Sequence, residues 1–191
     1  MSAQAFALFD SPIGSCGIAW NAKGIAGFHL PLATAQATRT RLQQRWAGAV
    51  ESPPPPGVQR VVDRVLALLN GEAIDLSDIP VDLDDATEFH RKVYEVARTI
   101  PPGRTMTYGE IAKRLGVPHE SREVGQAMGR NPIAIIMPCH RVLGADGKMG
   151  GFSANGGVAI KRRILEIEGA AALSAGPLFA GLDRPGPDRH G

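Results

Sequence analysis

The sequence predicts an α/β (α+β) protein. A small N-terminal antiparallel sheet with helices is followed by a C-terminal helical domain of the winged helix-turn-helix type. Three observations predict it. Short apolar runs broken by Gly, Pro, Asn and Asp fill residues 4–30, the pattern of strands joined by tight turns. From Val58 onward, apolar residues recur at helical spacing, and two of these helices are joined by a four-residue turn containing glycine. Positive charge collects in the same C-terminal part. Residues 98–163 hold 11 Lys and Arg against 4 Asp and Glu, whereas residues 1–97 hold 8 against 11.

The elements follow in order. Ala5-Phe6-Ala7-Leu8-Phe9, Cys16-Gly17-Ile18-Ala19-Trp20 and Ile25-Ala26-Gly27-Phe28-His29-Leu30 read as three strands of a meander. Asp10 to Gly14 and Asn21 to Gly24 are its turns. A polar helix is expected from Ala33 to Ala47, and Ser52 to Gly57 is a stiff proline loop. Val61, Val62, Val65, Leu66 and Leu69 mark a helix from Val58 to Asn70, stopped by Gly71. The acidic stretch from Ile74 to Leu83 reads as an extended connection and as the boundary between a scaffold domain, 1–83, and a second domain, 84–169.

That second domain begins with a helix whose apolar face is Phe89, Val93, Val96, Ala97 and Ile100, stopped by Pro101-Pro102-Gly103. Thr107 and Glu110 fit a capping box, so a helix opens at Tyr108 and closes at Gly116. The turn Gly116-Val117-Pro118-His119 leads to a third helix, with Val124, Ala127 and Met128 inward and Arg122 and Gln126 outward, towards a groove. Asp146-Gly147 predicts a hairpin or wing with Lys148 at its edge. Val158 to Glu168 is the last helix, with Gly169 as its cap. The tail, 170–191, is Ala-, Gly- and Pro-rich and is expected to be loosely ordered.

Composition bounds the function. A hydrophobic content of 43% over 191 residues supports a real core. No apolar stretch spans a bilayer, and the N-terminus carries no basic secretory signature. Two cysteines, Cys16 and Cys139, suit a reducing, cytoplasmic setting. No zinc-type Cys or His spacing is present, so no metal is expected. The basic C-terminal part favours a polyanion such as DNA.

The chemistry centres on one stretch. An apolar run from Ile133 to Met137 breaks at Pro138 and presents Cys139 and His140, then Arg141. A thiolate is a nucleophile, and a neighbouring imidazole or cation is the usual means of lowering a thiol's pKa. Alone, a Cys-His dipeptide fits a buried structural cysteine beside a surface histidine better. A reactive cysteine beside a recognition helix is a rarer pairing. A transcription regulator needs no Cys-His site, and a cysteine hydrolase needs no recognition helix. Cysteine chemistry on a flipped nucleic-acid base needs both.

Pro138-Cys139-His140-Arg141-Val142 resembles the signature of the O6-alkylguanine-DNA alkyltransferases, the methylated-DNA–protein-cysteine methyltransferases. Further stretches match in order: Thr107 to Ala112, Ser121 to Met128, Arg130-Asn131-Pro132, Gly151-Phe152-Ser153, and Lys161 through Ile164-Leu165 to Glu168-Gly169. The likeness is strong over residues 86–169 and weak in the N-terminal half, where Asp10 to Gly14 resembles the family's first hairpin.

The resemblance implies single-turnover repair with no cofactor. Double-stranded DNA containing O6-alkylguanine is bound through its minor groove, the base is flipped out, and the alkyl group passes irreversibly to Cys139. It also implies the site. His140 takes the thiol proton through a water, and Glu168 orients His140. A Glu at a helix C-terminus is otherwise badly placed for its charge, which favours a functional reason. Asn131 ties the recognition helix to the active-site loop, and Tyr108 contacts the base and helps protonate it. Val142, Ser153 and Met128 line the base pocket. Arg122 fills the space of the flipped base, and Ser121, Gln126, Arg141 and Lys148 are expected at the DNA. A monomer is expected, with cooperative assembly on DNA open.

Three features depart from the pattern. Glu120 and Glu123 sit on or beside the recognition helix and would cost about 1 kcal/mol if they face phosphate. Ala154-Asn155 lengthen the segment after Ser153, and Ala134 stands where a bulkier residue would narrow the pocket. The nearest rival is an alkyltransferase-like protein that binds lesions without transfer, and Cys139 argues against it.

Overall fold

The structure is a computed structural model that describes residues 3–149 and 157–170. Strands β1 (Ala5–Ser11), β2 (Gly14–Asn21) and β3 (Gly24–His29) form the expected antiparallel meander. Glycines at φ +117° (Gly14) and +141° (Gly24) make its two tight turns. A short strand the sequence did not announce, β4 (Val50–Glu51), adds to β1 in parallel, giving the order β3-β2-β1-β4.

Helix α1 (Ala35–Arg45), capped by Thr34, lies on one face of this sheet. It approaches closely because the sheet offers glycines. A Cβ on Gly17 or Gly27 would run into Leu42 or Trp46. Phe6, Ala19, Leu42 and Trp46 form the small core there. The other face packs on α2 (Pro56–Leu69), which starts at a proline, as an N-terminal turn tolerates, and buries Val58, Val61, Val62, Val65, Leu68 and Leu69.

The acidic connection is folded rather than merely extended. Leu76 and Ile79 are buried, and Asp82 N–H donates to the Ile25 carbonyl beside an Ile25–Val81 bridge. The main core then continues without a break from the sheet into the C-terminal helices.

There, α3 (Glu88–Arg98) packs against α4 (Tyr108–Arg114) and α5 (Ser121–Gly129). Its buried Tyr94 hydroxyl donates to the Ala127 carbonyl at 2.9 Å. The capping box at α4 is complete: the Thr107 hydroxyl accepts from Glu110 N–H, and the Glu110 carboxylate accepts from Thr107 N–H. The turn from Gly116 to α5 and the outward Ser121, Arg122 and Gln126 match the helix-turn-helix reading.

Two expectations change form here. The apolar run before Cys139 is a compact turn rather than a segment crossing the interior. Met137 N–H bonds the Ile133 carbonyl, and Ile135, a β-branched residue, is held at φ +69°. Asp146-Gly147 does turn the chain, but as a 3-10 turn (Ala145–Gly147) closed by Gly144 N–H on the Lys148 carbonyl. The strand before it, β6 (Val142–Leu143), pairs in parallel with β5 (Met106–Thr107). Non-local pairing fixed this register, and turn residues alone do not reveal it.

The last helix, α6 (Gly157–Ile167), ends where Gly169 adopts φ +66° and Ala170 N–H reaches back to the Leu165 carbonyl. The tail reading falls outside the described residues except for Ala170, which is buried. Among the described residues, no helix is long and apolar enough to cross a membrane.

Candidate active site

The turn before the cysteine is held by one side chain. Asn131, just past α5, accepts from Ile133 N–H at 2.9 Å and donates from Nδ2 to the Met137 carbonyl at 2.8 Å. Both ends of the strained turn at Ile135 are thereby pinned. A left-handed β-branched residue costs on the order of 1–3 kcal/mol, so it persists only where its surroundings impose it. The chain then enters a 3-10 turn, Cys139–Arg141, on which α6 packs.

Cys139 is a free thiol, 6% exposed. Burial pushes its pKa up, against a hydrogen bond from the Asn131 side chain and the charge of Lys161. The thiol is therefore protonated at rest. The sequence pointed to neighbours that lower a thiol's pKa; here burial outweighs them. A base is needed, and the next residue is one. His140 is 1% exposed, and burial also keeps its imidazole below the usual range, hence neutral.

His140 Nε2 lies 3.0 Å from Glu168 Oε1. Burial alone would raise the Glu168 pKa, yet hydrogen bonds and charge from His140 and Arg141 hold it down at about 2. An ionised carboxylate only accepts, so Nε2 carries the hydrogen and Nδ1 keeps a free lone pair. The arrangement is a thiol, a neutral base and a carboxylate that orients the base.

The floor under Glu168 is the loop after α3. Gly103 N–H approaches Glu168 Oε2 at 3.3 Å, and Gly103 itself sits at φ +75°. A Cβ there would lie 2.8 Å from the Glu168 carbonyl oxygen, so only glycine fits.

The other expected residues divide into groups. Tyr108, at the start of α4, is half-buried; burial and the nearby Cys139 raise its hydroxyl pKa, so it stays protonated. Met128 and Val142 are buried. Ser121, Arg122 and Gln126 are exposed on α5, and Lys148 is exposed beyond β6. Ser153 lies outside the described residues. Arg141 is a correction. It is 5% exposed and turned inward onto Glu168 and the Ile100 carbonyl, away from the surface expected for it.

Sequence reasoning gave Lys161 no role. It is 1% exposed, and its Nζ donates to the Val142 carbonyl at 2.7 Å. A signal was present. Lys161, Ile164, Leu165 and Glu168 share one helical stripe, so two charged residues stand on the apolar face of α6. Among the described residues, no group of three His, Cys, Asp or Glu stands together to hold a metal ion.

Residues 88–170 match the family model described as 6-O-methylguanine DNA methyltransferase, DNA binding domain. A methylated-DNA–protein-cysteine methyltransferase of Mycobacterium tuberculosis is 39% identical over 171 residues, 89% of this chain and 95% of that protein. The chain belongs to the methylated-DNA–protein-cysteine methyltransferase family. Another member, from Methanosarcina acetivorans, is 52% identical over 86 residues, 45% of this chain and 54% of its own. The crystal structure of the M. tuberculosis O6-methylguanine methyltransferase superposes with a TM-score of 0.71 at 37% identity, covering 86% of this chain and 92% of that one. The M. tuberculosis protein in complex with DNA gives 0.68 at 35%, covering 89% and 98%. The mixed α+β fold is thus the family's fold, and its members are DNA-repair methyltransferases.

Proposed function

We propose that this protein repairs O6-alkylguanine in double-stranded DNA by moving the alkyl group irreversibly to Cys139, once per molecule. The observation that carries the reading is the buried Cys139 thiol beside a neutral His140 oriented by an ionised Glu168, next to an exposed recognition helix. His140 Nδ1 accepts the thiol proton through a water. The sulfur forms its bond to the alkyl carbon as the bond from that carbon to guanine O6 breaks. The electron pair stays on the base, which takes up one proton with help from Tyr108. A thioether has no route back to a thiol without a further nucleophile, so turnover ends there.

The DNA is read through its minor groove with the base flipped out. Arg122 occupies the vacated space, Ser121, Gln126 and Lys148 contact the duplex, and Met128, Val142 and Ser153 line the base pocket. Asn131 fixes the loop that carries the thiol. Residues 84–169 hold the chemistry and the DNA-binding surface, and residues 1–83 support them. The protein acts as a monomer in the cytoplasm, without a cofactor. A lesion-binding protein that transfers nothing is disfavoured by Cys139 itself.

Intact-protein and peptide mass spectrometry after mixing with an O6-methylguanine duplex tests this reading. The expected result is a gain of one methylene mass on Cys139, at most once per molecule. Lesion-specific binding with no mass gain would instead make the protein a lesion binder and Cys139 structural.

A further inference from the structure

Arg141 follows the reacting residues directly, yet its side chain turns into the protein. Its Nη2 donates to Glu168 Oε1 at 2.7 Å, and its Nε donates to Oε2 at 2.9 Å and Oε1 at 3.3 Å. Its Nη1 donates to the Ile100 carbonyl at 2.6 Å. The two side chains are 6% and 1% exposed. This is a two-pronged, charge-assisted clamp in a dry place, where such bonds are strong. Glu168 Oε1 is shared: it accepts from Arg141 and from His140 Nε2.

The clamp bears on the state of the base. A buried carboxylate bonded to an imidazole and to nothing else favours the imidazolium, because the proton compensates the buried charge. An imidazolium has no lone pair for the Cys139 proton. With Arg141 present, Glu168 is already compensated. A proton on His140 would then be an excess charge, facing Arg141 on its own turn and Lys161 on α6, with Glu168, among the described residues, the one carboxylate acting on it. Cys139, the remaining titratable neighbour, is an uncharged thiol at rest.

We propose that Arg141 is a positioning residue for the transfer: its clamp fixes the carboxylate that orients His140 and neutralises that carboxylate's charge, leaving the imidazole free to take the Cys139 proton. This rests on the transfer chemistry proposed above. The Sγ–H bond breaks, the proton passes to His140 Nδ1, and the sulfur pair forms the new bond to carbon while guanine leaves with the C–O6 pair.

The test compares Arg141→Gln and Arg141→Lys with the unaltered protein. The single-turnover rate of methyl transfer from an O6-methylguanine duplex is followed between about pH 5 and 9, where histidine titrates. In Arg141→Gln, the acid limb of the profile is expected to move up by about one pH unit, with roughly tenfold slower transfer on that limb and recovery at higher pH. Arg141→Lys keeps the charge, so its limb stays in place even where its rate falls. A uniform fall in rate with the profile unmoved in Arg141→Gln would make the clamp merely structural and overturn the proposal.

Nitrogen-15 NMR of His140 in the unaltered protein supplies an independent reading should Arg141→Gln fail to fold. Neutral imidazole with hydrogen on Nε2 at neutral pH is expected, and an imidazolium there would overturn the proposal. If the unaltered protein transfers nothing to Cys139, the repair reading fails instead, and the NMR measurement still decides the clamp.

Discussion

At the scale of single residues, the site is a chain of charge and proton assignments, set by burial for Cys139 and His140 and, for Glu168, by hydrogen bonds and charge that overcome burial. Cys139 is held as a thiol, His140 as a neutral base and Glu168 as an anion. Glu168 has a stability consequence. Its folded pKa of about 2 lies below the ordinary 4.5, so it stabilises the fold above the ordinary value. That contribution fades as pH falls from 4.5 through about 2. Glu168→Gln is expected to cost about 3 kcal/mol at neutral pH, the usual scale for breaking a buried pair. It should also flatten the acid side of the stability curve. Denaturant unfolding across that range checks both. A variant as stable as the parent at neutral pH would mean that the clamp and the histidine contribute nothing to folding.

At the scale of elements, α4 is the informative case. It has seven residues, too few to be stable alone, so its ends and its packing decide it. The reciprocal Thr107–Glu110 cap satisfies two orphan amides at the end where Tyr108 enters the site. Thr107→Ala should therefore cost about 1 kcal/mol and slow methyl transfer through Tyr108. Urea unfolding together with the transfer rate shows whether the cap only stabilises or also aims the tyrosine. Helix α5 contrasts with it: Glu120 provides no side-chain cap, and its exposed face keeps Arg122 and Gln126 available.

Across the whole molecule, the N-terminal half is joined to the site by backbone as well as by core. Phe28 N–H on β3 donates to the Pro132 carbonyl, in the segment that Asn131 pins before Cys139. In addition, Arg98 at the end of α3 donates to the carbonyls of Leu76 at 3.4 Å, Ile79 at 2.7 Å and also Ser77. It thereby latches the folded acidic connection to the C-terminal helices. Arg98→Ala should lower the thermal midpoint by a few degrees, since 1 kcal/mol is worth about 2–4 °C at this chain length. Calorimetry checks it, and an unmoved midpoint would mean that the core and the Phe28–Pro132 backbone bond join the halves without help from Arg98.

The sequence determined the local structure and the chemistry-bearing residues. The meander, α2, α3, the capped α4, α5 and α6 are all written in periodicity and in Gly, Pro and Thr-x-x-Glu punctuation, which act within a few residues. The adjacency of Cys139 and His140 is likewise covalent, and needs no fold to be seen. What the tertiary structure decided is everything that depends on distant partners. It paired β6 with β5 in parallel, added β4 to β1, and turned the run before Cys139 into a pinned loop. It carried Glu168 to His140 across 28 positions and turned Arg141 away from the surface expected for it. It also buried Lys161 against Val142. An arginine in a sequence reads as a surface cation, because burial of a charge is favourable only where a partner waits, and that partner is supplied by the fold.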